Sequence, residues 1–269
     1  MSLLYGYNTN GFAHHGLDDA LVGIAGAGFR SVGLTLDVHH APPGATDYAA
    51  LGQRIRELGL VPVVETGARF LLDADKKHWP TLLSDEGRER RVEFLVACVD
   101  AAAALGAPCI SLWSGAPESG DPWKRLLDGL NPVLAHADRC AIDLAFEPEP
   151  GMFIETTEHF LELRRRLPHP RLRLTIDVGH VHCLDEGKPA DILRAHADLL
   201  ANVHLDDHVR GTHDHRMFGA GEMDFTPILK ALEEIAADRD LPATVELSRH
   251  SHDAVNACRK SAAFLFAAR

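Results

Sequence analysis

The chain has 269 residues, 46% of them hydrophobic and 25% charged, which is ample for one large α/β domain or two modest ones. Its 27 Lys and Arg against 39 Asp and Glu leave a formal net charge of −12, and so acidic a surface repels phosphate backbones and anionic membranes, arguing against a nucleic-acid or membrane binder. No apolar run approaches the roughly 18 residues of a spanning helix, and the opening MSLLYGYNTNGF has no basic segment ahead of an apolar stretch, so no secretory signal is expected.

Short apolar runs recur along the chain at 3–7, 31–36, 61–65, 108–113, 142–147, 172–177, 201–205 and 243–247, and each reads as a strand. Between them lie segments with apolar spacing of three and four, among them Tyr48 to Leu58, Arg90 to Leu105, Phe160 to Leu167 and Pro227 to Ile235, which read as helices. Gly28, Gly59 and Gly106 stand where left-handed helix caps are expected. Strands alternating with helices imply parallel pairing through right-handed crossovers, and eight such units in about 250 residues match a single closed (β/α)8 barrel spanning 1–269. The competing doubly wound sheet usually carries a glycine-rich turn after its first strand; here GIAGAG (23–28) falls at the end of a helix instead. The five cysteines (Cys98, Cys109, Cys140, Cys183, Cys258) are scattered and odd in number with no C-x-x-C pair, so they read as reduced thiols of a cytoplasmic protein.

In such a barrel the catalytic groups sit at the C-terminal strand ends and point inward, and inward positions recur every second residue. Counted this way, the last four strands present Ala145 and Glu147, Thr175 and Asp177, Asn202 and His204, and Thr244 and Glu246 to the interior. Taken singly, each terminal residue reads as a salt-bridge or capping group. Taken together, three carboxylates converging on one point would repel and raise one another's pKa values unless a cation neutralised them. Two Glu, one Asp and one His form an oxygen-rich set suited to one divalent ion, Mn²⁺ foremost, with Mg²⁺, Co²⁺ and Zn²⁺ also accepted.

The motifs FEPEPG (146–151), TIDVGH (175–180), VHLDDHVR (203–210), FGAGEMDF (218–225) and VELSRH (245–250) resemble the xylose-isomerase-like barrel superfamily. The likeness is to its sugar-phosphate isomerase/epimerase branch, with the ketose 3-epimerases, hydroxypyruvate isomerases and inosose dehydratases. It is specific over the second half of the chain; the first half matches in strand-helix rhythm alone. The resemblance implies that Glu147, Asp177, His204 and Glu246 are the metal ligands and that His180 and Arg210 hold substrate oxygens. It also implies a homodimer or homotetramer acting on a small carbohydrate or cyclitol. An octahedral ion held by four protein groups keeps room for the carbonyl and neighbouring hydroxyl of an α-hydroxy carbonyl compound, and as a Lewis acid it would stabilise an enediolate. Glu147 and Glu246 would then be the catalytic pair, one removing a proton and the other returning one, as in the resembling epimerases. His180 and Arg210 are expected to donate to the oxygen that gains charge. If a β-hydroxyl leaves instead, the same chemistry makes the protein a metal-dependent dehydratase.

Other residues on this rim carry weaker expectations. HDHR (213–216) lies on the loop after strand seven, where the related apurinic endonuclease type binds extra zinc through a D-x-H pair. His213 and His215 are therefore candidates for a second metal, against a solvated loop or substrate contacts. That endonuclease type, a phosphodiester hydrolase with two or three metals, also needs histidines at the ends of strands three and four, where Glu65 and Trp113 stand here. Trp113 reads as an apolar wall that can stack on a sugar or as core, and Glu65 as a contact to substrate hydroxyls or a partner of Arg69. His14-His15, His39-His40, Arg249, His250 and His252 follow strands on the same rim and are further candidates to line it. Glu149 reads as a supporting residue just beyond strand five, and the arginines at 164–166 as complements to a helix dipole.

Overall fold

The protein is described by a computed structural model over residues 2–267. In chain order the strands are β1 (Leu3–Asn8), β2 (Ser31–Thr35), β3 (Val61–Glu65), β4 (Cys109–Leu112), β5 (Asp143–Phe146), β6 (Leu172–Asp177), β7 (Leu200–Leu205), β8 (Asp207–Val209), β9 (Thr212–Arg216) and β10 (Leu241–Val245). Eight of them close into a barrel in the order β1-β10-β7-β6-β5-β4-β3-β2, every ladder parallel. This is a (β/α)8 barrel, and the eight apolar runs supply its eight staves. The remaining pair, β8 and β9, forms an antiparallel hairpin where a loop was expected.

The helices are α1 (Leu17–Gly26), α2 (Tyr48–Glu57), α3 (Arg88–Leu105), α4 (Pro122–Cys140), α5 (Thr157–Arg166), α6 (Val178–Cys183), α7 (Pro189–Ala195), α8 (Phe225–Ile235) and α9 (Ala254–Ala267). Local chemistry sets their ends. Asp47, Asp121, Thr156 and Asp224 each accept a backbone N–H of the first turn, the usual N-cap bond. Gly28, Gly59 and Gly106 turn the chain at φ 95°, 73° and 77°, left-handed values that a Cβ disfavours. In α8 the buried residues Phe225, Ile228, Leu229, Leu232 and Ile235 recur at three- and four-residue spacing and pack against the sheet. Among the described residues no helix is long and apolar enough to cross a membrane. The five cysteines are free thiols, four of them buried.

Strand alternation divides the core in two. Leu144, Phe146, Leu174, Ile176, Val203, Leu205, Val245 and Leu247 face outward and are fully buried under the helices. Inside, Val63, Cys109 and Ala145 pack with Ala201 as a small apolar plug. The pairing of β6 with β7 skips Ala201, so Leu174 faces Leu200 while Thr175 faces Asn202. This irregularity lets Ala201 join the plug without turning Asn202 and His204 away from the axis. Above the plug lie buried hydroxyls, with Ser111 Oγ 3.2 Å from Thr175 Oγ1 and Thr175 Oγ1 donating to the Ala145 carbonyl at 3.2 Å. The polarity of the interior thus rises toward the C-terminal mouth.

Candidate active site

Four strands deliver four ligand-type side chains to that mouth. Glu147 follows β5, Asp177 ends β6, His204 lies near the end of β7 and Glu246 follows β10. One ligand atom of each lies within 4.8 Å of all the others. Glu147 and Glu246 stay in phase past their strands because the Glu147 N–H donates to Leu112 at 2.7 Å and the Glu246 N–H to Leu205 at 3.1 Å. His204 Nδ1 is 2.9 Å from Glu147 Oε1 and 3.0 Å from Glu246 Oε2. Asp177 Oδ1 accepts the N–H groups of Gly179 and His180 at 2.7 and 3.1 Å, capping α6, whereas its Oδ2 is buried with no hydrogen-bond partner.

The electrostatics show why the cluster needs positive charge. Burial pushes the Glu147 carboxyl up to about 8, with Glu246 and Asp177 reinforcing and His204 opposing. Burial and then Asp206 raise Asp177 to about 7. Burial alone would lower His204, but Glu147, Glu65 and Glu246 hold it well above the usual histidine range. Glu246, which burial would raise, is held well below the usual carboxylate range by His204 and His215. His204 and His215 are thus the positive charges set against Glu147, Asp177, Glu246 and Glu65. A divalent cation fits the same place: the donors are hard and oxygen-rich, and Asp177 Oδ2 is an orphaned buried acceptor facing the cluster.

Further residues orient these four. Glu65 Oε1 lies 3.0 Å from His204 Nε2, so Glu65 does not pair with Arg69, which bonds Asp37 instead at 2.7 Å. A carboxylate only accepts, so both nitrogens of the His204 ring donate, Nε2 to Glu65 and Nδ1 to Glu147 and Glu246; with a cation at the cluster, Glu65 would keep the proton on Nε2 and leave the Nδ1 lone pair for the ion. Asn10, in the 3₁₀ turn Thr9–Phe12 after β1, donates to Glu246 Oε1 at 2.8 Å. It lies past its strand in an irregular turn, so alternation could not reveal it.

The cavity over the cluster measures about 280 Å³ and is lined by Glu65, Trp113, Glu147, His180, His204 and Glu246 among others. Its size sits at the small end of ligand cavities, roughly 300–1,000 Å³. Trp113 forms a wall, with the His78 ring edge-on at 5.8 Å and the Arg91 guanidinium 4.9 Å from its centroid. His180 donates Nδ1–H to the Pro148 carbonyl at 3.2 Å, and burial keeps its pKa well below the usual value. Its Nε2 therefore faces the cavity as an acceptor, where a donor was expected. Arg210 corrects the expectation more fully. The hairpin turn at Gly211, φ 72°, carries it outward to pair with Asp185 at 2.9 Å, and its side chain is 59% exposed and outside the cavity.

The hairpin brings His213 and His215 to the cavity. His213 Nε2 is 3.1 Å from His180 Nε2, and one nitrogen each of His180, His213 and His215 lies within 4.8 Å of the others. His215 bonds Asp206, which also lies 3.1 Å from His208 Nδ1. Burial lowers His213 to about 4, while Asp206 overcomes burial to raise His215 to about 10. Of the remaining rim candidates, Arg249 and Glu149 line the cavity, and burial and then Glu246 raise Glu149 to about 7. His14, His15, His39, His40, His250 and His252 do not line it; His40 Nε2 is tied to the His15 carbonyl at 2.9 Å. The arginines at 164–166 end α5, where Arg165 and Arg166 bridge to Glu162. Arg69, Lys77 and His78 line the cavity from the β3–α3 segment, which carried no strand-end signal.

Comparison with known proteins agrees with this fold. The structure is similar to that of an L-ribulose 3-epimerase (TM-score 0.77, 20% identity, covering 100% of this chain and 94% of that one). It is also similar to a D-allulose 3-epimerase from Methylomonas sp. in complex with D-allulose (0.76, 19%, 100% and 98%) and to the IolI protein with a bound zinc atom (0.74, 16%, 98% and 98%). In sequence, the protein y4fM of Sinorhizobium fredii is 26% identical over 239 residues, 84% of this chain and 71% of that protein. An inosose dehydratase of Bacillus licheniformis is 29% identical over 87 residues, 32% of this chain and 29% of that protein. The family described as xylose isomerase-like TIM barrel matches residues 23–268, and the chain belongs to that family.

Proposed function

We propose that this protein is a divalent-metal-dependent isomerase or epimerase of a small sugar-like α-hydroxy carbonyl compound. The observation that carries the reading is the meeting of Glu147, Asp177, His204 and Glu246 within 4.8 Å beneath a small cavity that Glu147, His204 and Glu246 line. Relatives of the same fold named as ketose 3-epimerases support it. A bound divalent ion, Mn²⁺ foremost, supplies Lewis-acid polarisation of the substrate carbonyl. β5 and β10 stand on either side of β6 and β7 in the barrel, so Glu147 and Glu246 reach the cavity from opposite sides. One carboxylate takes the proton beside the carbonyl, and the other delivers a proton. Return to the opposite face gives an epimer, and return to the neighbouring carbon gives the aldose–ketose isomer. Loss of a β-hydroxyl gives dehydration, the alternative that product analysis separates. His180 Nε2 accepts from His213 Nε2–H at 3.1 Å and fixes that ring on the cavity, and Trp113 packs against the carbon skeleton.

The test uses metal-loaded protein in D₂O with a panel of ketoses and inososes. A true substrate gains deuterium beside its carbonyl, and Glu246→Gln abolishes the exchange; exchange at the wild-type rate in that variant removes Glu246 from the pair. Elemental analysis after Mn²⁺ reconstitution should find one metal per chain, lost in His204→Ala. The His180, His213 and His215 cluster favours a second reading, a nitrogen-rich site suited to Zn²⁺. Two or three metals per chain would establish it and bring a phosphodiester hydrolase forward. Against that stand the charge of −12 and, beyond β4, a Trp113 that cannot ligate.

A further inference from the structure

The segment between β3 and α3 is built to hold a cationic corner over the cavity. Arg69 sits between Ala68 and Phe70, both left-handed without being glycine, at φ 49° and 57°. Such conformations cost backbone energy and persist where the surroundings impose them. The chain then folds back, so that the Phe70 N–H donates to the Lys77 carbonyl at 2.9 Å and His78 Nδ1 donates to the Gly67 carbonyl at 3.0 Å. These bonds bring Arg69 and Lys77 to the same cavity.

Neither cation is used up by the fold. Arg69 is 8% exposed, and its Nε bonds Asp37 at 2.7 Å, but its NH2 is buried with no hydrogen-bond partner. Among the described residues no carboxylate lies within ion-pair distance of Lys77 Nζ. Partial burial lowers the Lys77 pKa, with Arg69 and then Arg249 adding repulsion and Glu149 and Glu246 opposing it. Arg249 lines the same cavity while pairing with Asp214 at 2.7 Å. Arg69 is thus paired with Asp37, and Arg249 shares Asp214 with Arg216, while Lys77, the exposed member, pairs with no carboxylate. A polyol hydroxyl can accept from guanidinium or ammonium but leaves their charge uncompensated, whereas an anion answers both the donors and the charge. Donor-only cations with an orphaned N–H fit an anion.

We infer that the substrate carries an anionic group, a carboxylate or a phosphate, which Arg69 and Lys77 hold while the carbonyl end lies at the Glu147–Glu246 cluster. The inference rests on the proposed isomerase or epimerase reading for the identity of that carbonyl end; the anion site itself is testable without it.

The experiment titrates inorganic phosphate and acetate calorimetrically into the metal-loaded protein, Lys77→Met, Arg69→Met and His204→Ala. One of the two anions should bind, with affinity about tenfold to a hundredfold weaker in Lys77→Met and in Arg69→Met and retained in His204→Ala. Preference for phosphate assigns a phosphorylated substrate, and preference for acetate a carboxylate. Lys77 lies at the cavity mouth, so its variant keeps the test sound if Arg69→Met, which breaks a buried ion pair, fails to fold. The inference is overturned if neither anion binds, if Lys77→Met binds as wild type does, or if binding is lost only in His204→Ala. In the deuterium assay, ketose phosphates or keto-acids should then exchange at least tenfold faster than their neutral counterparts. Anion binding without exchange in any compound would leave the site standing and remove the isomerase reading; exchange that ignores charge would do the reverse.

Discussion

At the scale of single residues, the contact with most leverage is Glu65 against His204 Nε2 at 3.0 Å. Partners that orient a ligating imidazole typically change metal affinity about 10–100-fold when removed. Glu65→Gln should therefore weaken Mn²⁺ binding by about that factor while leaving the far-ultraviolet spectrum unchanged, as read by metal-competition titration; unchanged affinity would reduce Glu65 to a wall of the cavity. The metal-type quartet was legible in the sequence because alternation along a strand is rigid: a residue two positions from an inward side chain is itself inward. Asn10, Arg69 and Lys77 were not legible, because turns and excursions follow no such period. Arg210 shows the converse, since its six-residue spacing from His204 counts residues correctly but does not record that Gly211 turns the hairpin outward.

At the scale of elements, the hairpin β8–β9 depends on how closely α6 approaches it. A Cβ at Gly179 would stand 2.1 Å from His208 Nδ1 and 2.2 Å from Asp206 Oδ1, both buried groups of the network that holds His215. Gly179→Ala must push the hairpin off α6, an overpacking that typically costs about 1–3 kcal/mol. Urea unfolding should show that loss, and solution NMR should show the His213 and His215 ring signals shifted or broadened; a variant as stable as wild type would mean the hairpin yields freely. The eight staves were legible as apolar runs between periodic helices, to within two residues at their ends. The hairpin was not, because DHVRGTHDHR (207–216) holds Val209 as its single apolar residue, and three- and five-residue strands leave no apolar alternation to read. The skipped Ala201 in β7 was equally hidden, and the phase of His204 survived it because the irregularity precedes Asn202.

At the scale of the whole molecule, acid stability tests how firmly the β3–α3 segment is packed. His78 is half-buried and its pKa is lowered from 6.5 to about 4, first by burial and then by Lys77, Arg91 and Arg69, against the Gly67 carbonyl that favours its proton. A histidine whose folded pKa is depressed binds protons more weakly when folded than when unfolded. Its contribution is therefore fully present above pH 6.5 and is lost as the pH falls from 6.5 toward 4, by at most on the order of 3 kcal/mol. Replacement by Gln, whose amide can still donate to Gly67, removes that titration without removing the bond. The unfolding free energy of wild type should thus fall more steeply between pH 6.5 and 4 than that of His78→Gln, with the two curves parallel above pH 7. Many surface carboxylates titrate in the same range and pull both proteins alike, so the difference between the curves isolates His78. Equal slopes would show that the segment opens before the histidine is protonated, and that Lys77 beside it is held by a mobile loop rather than by a wall.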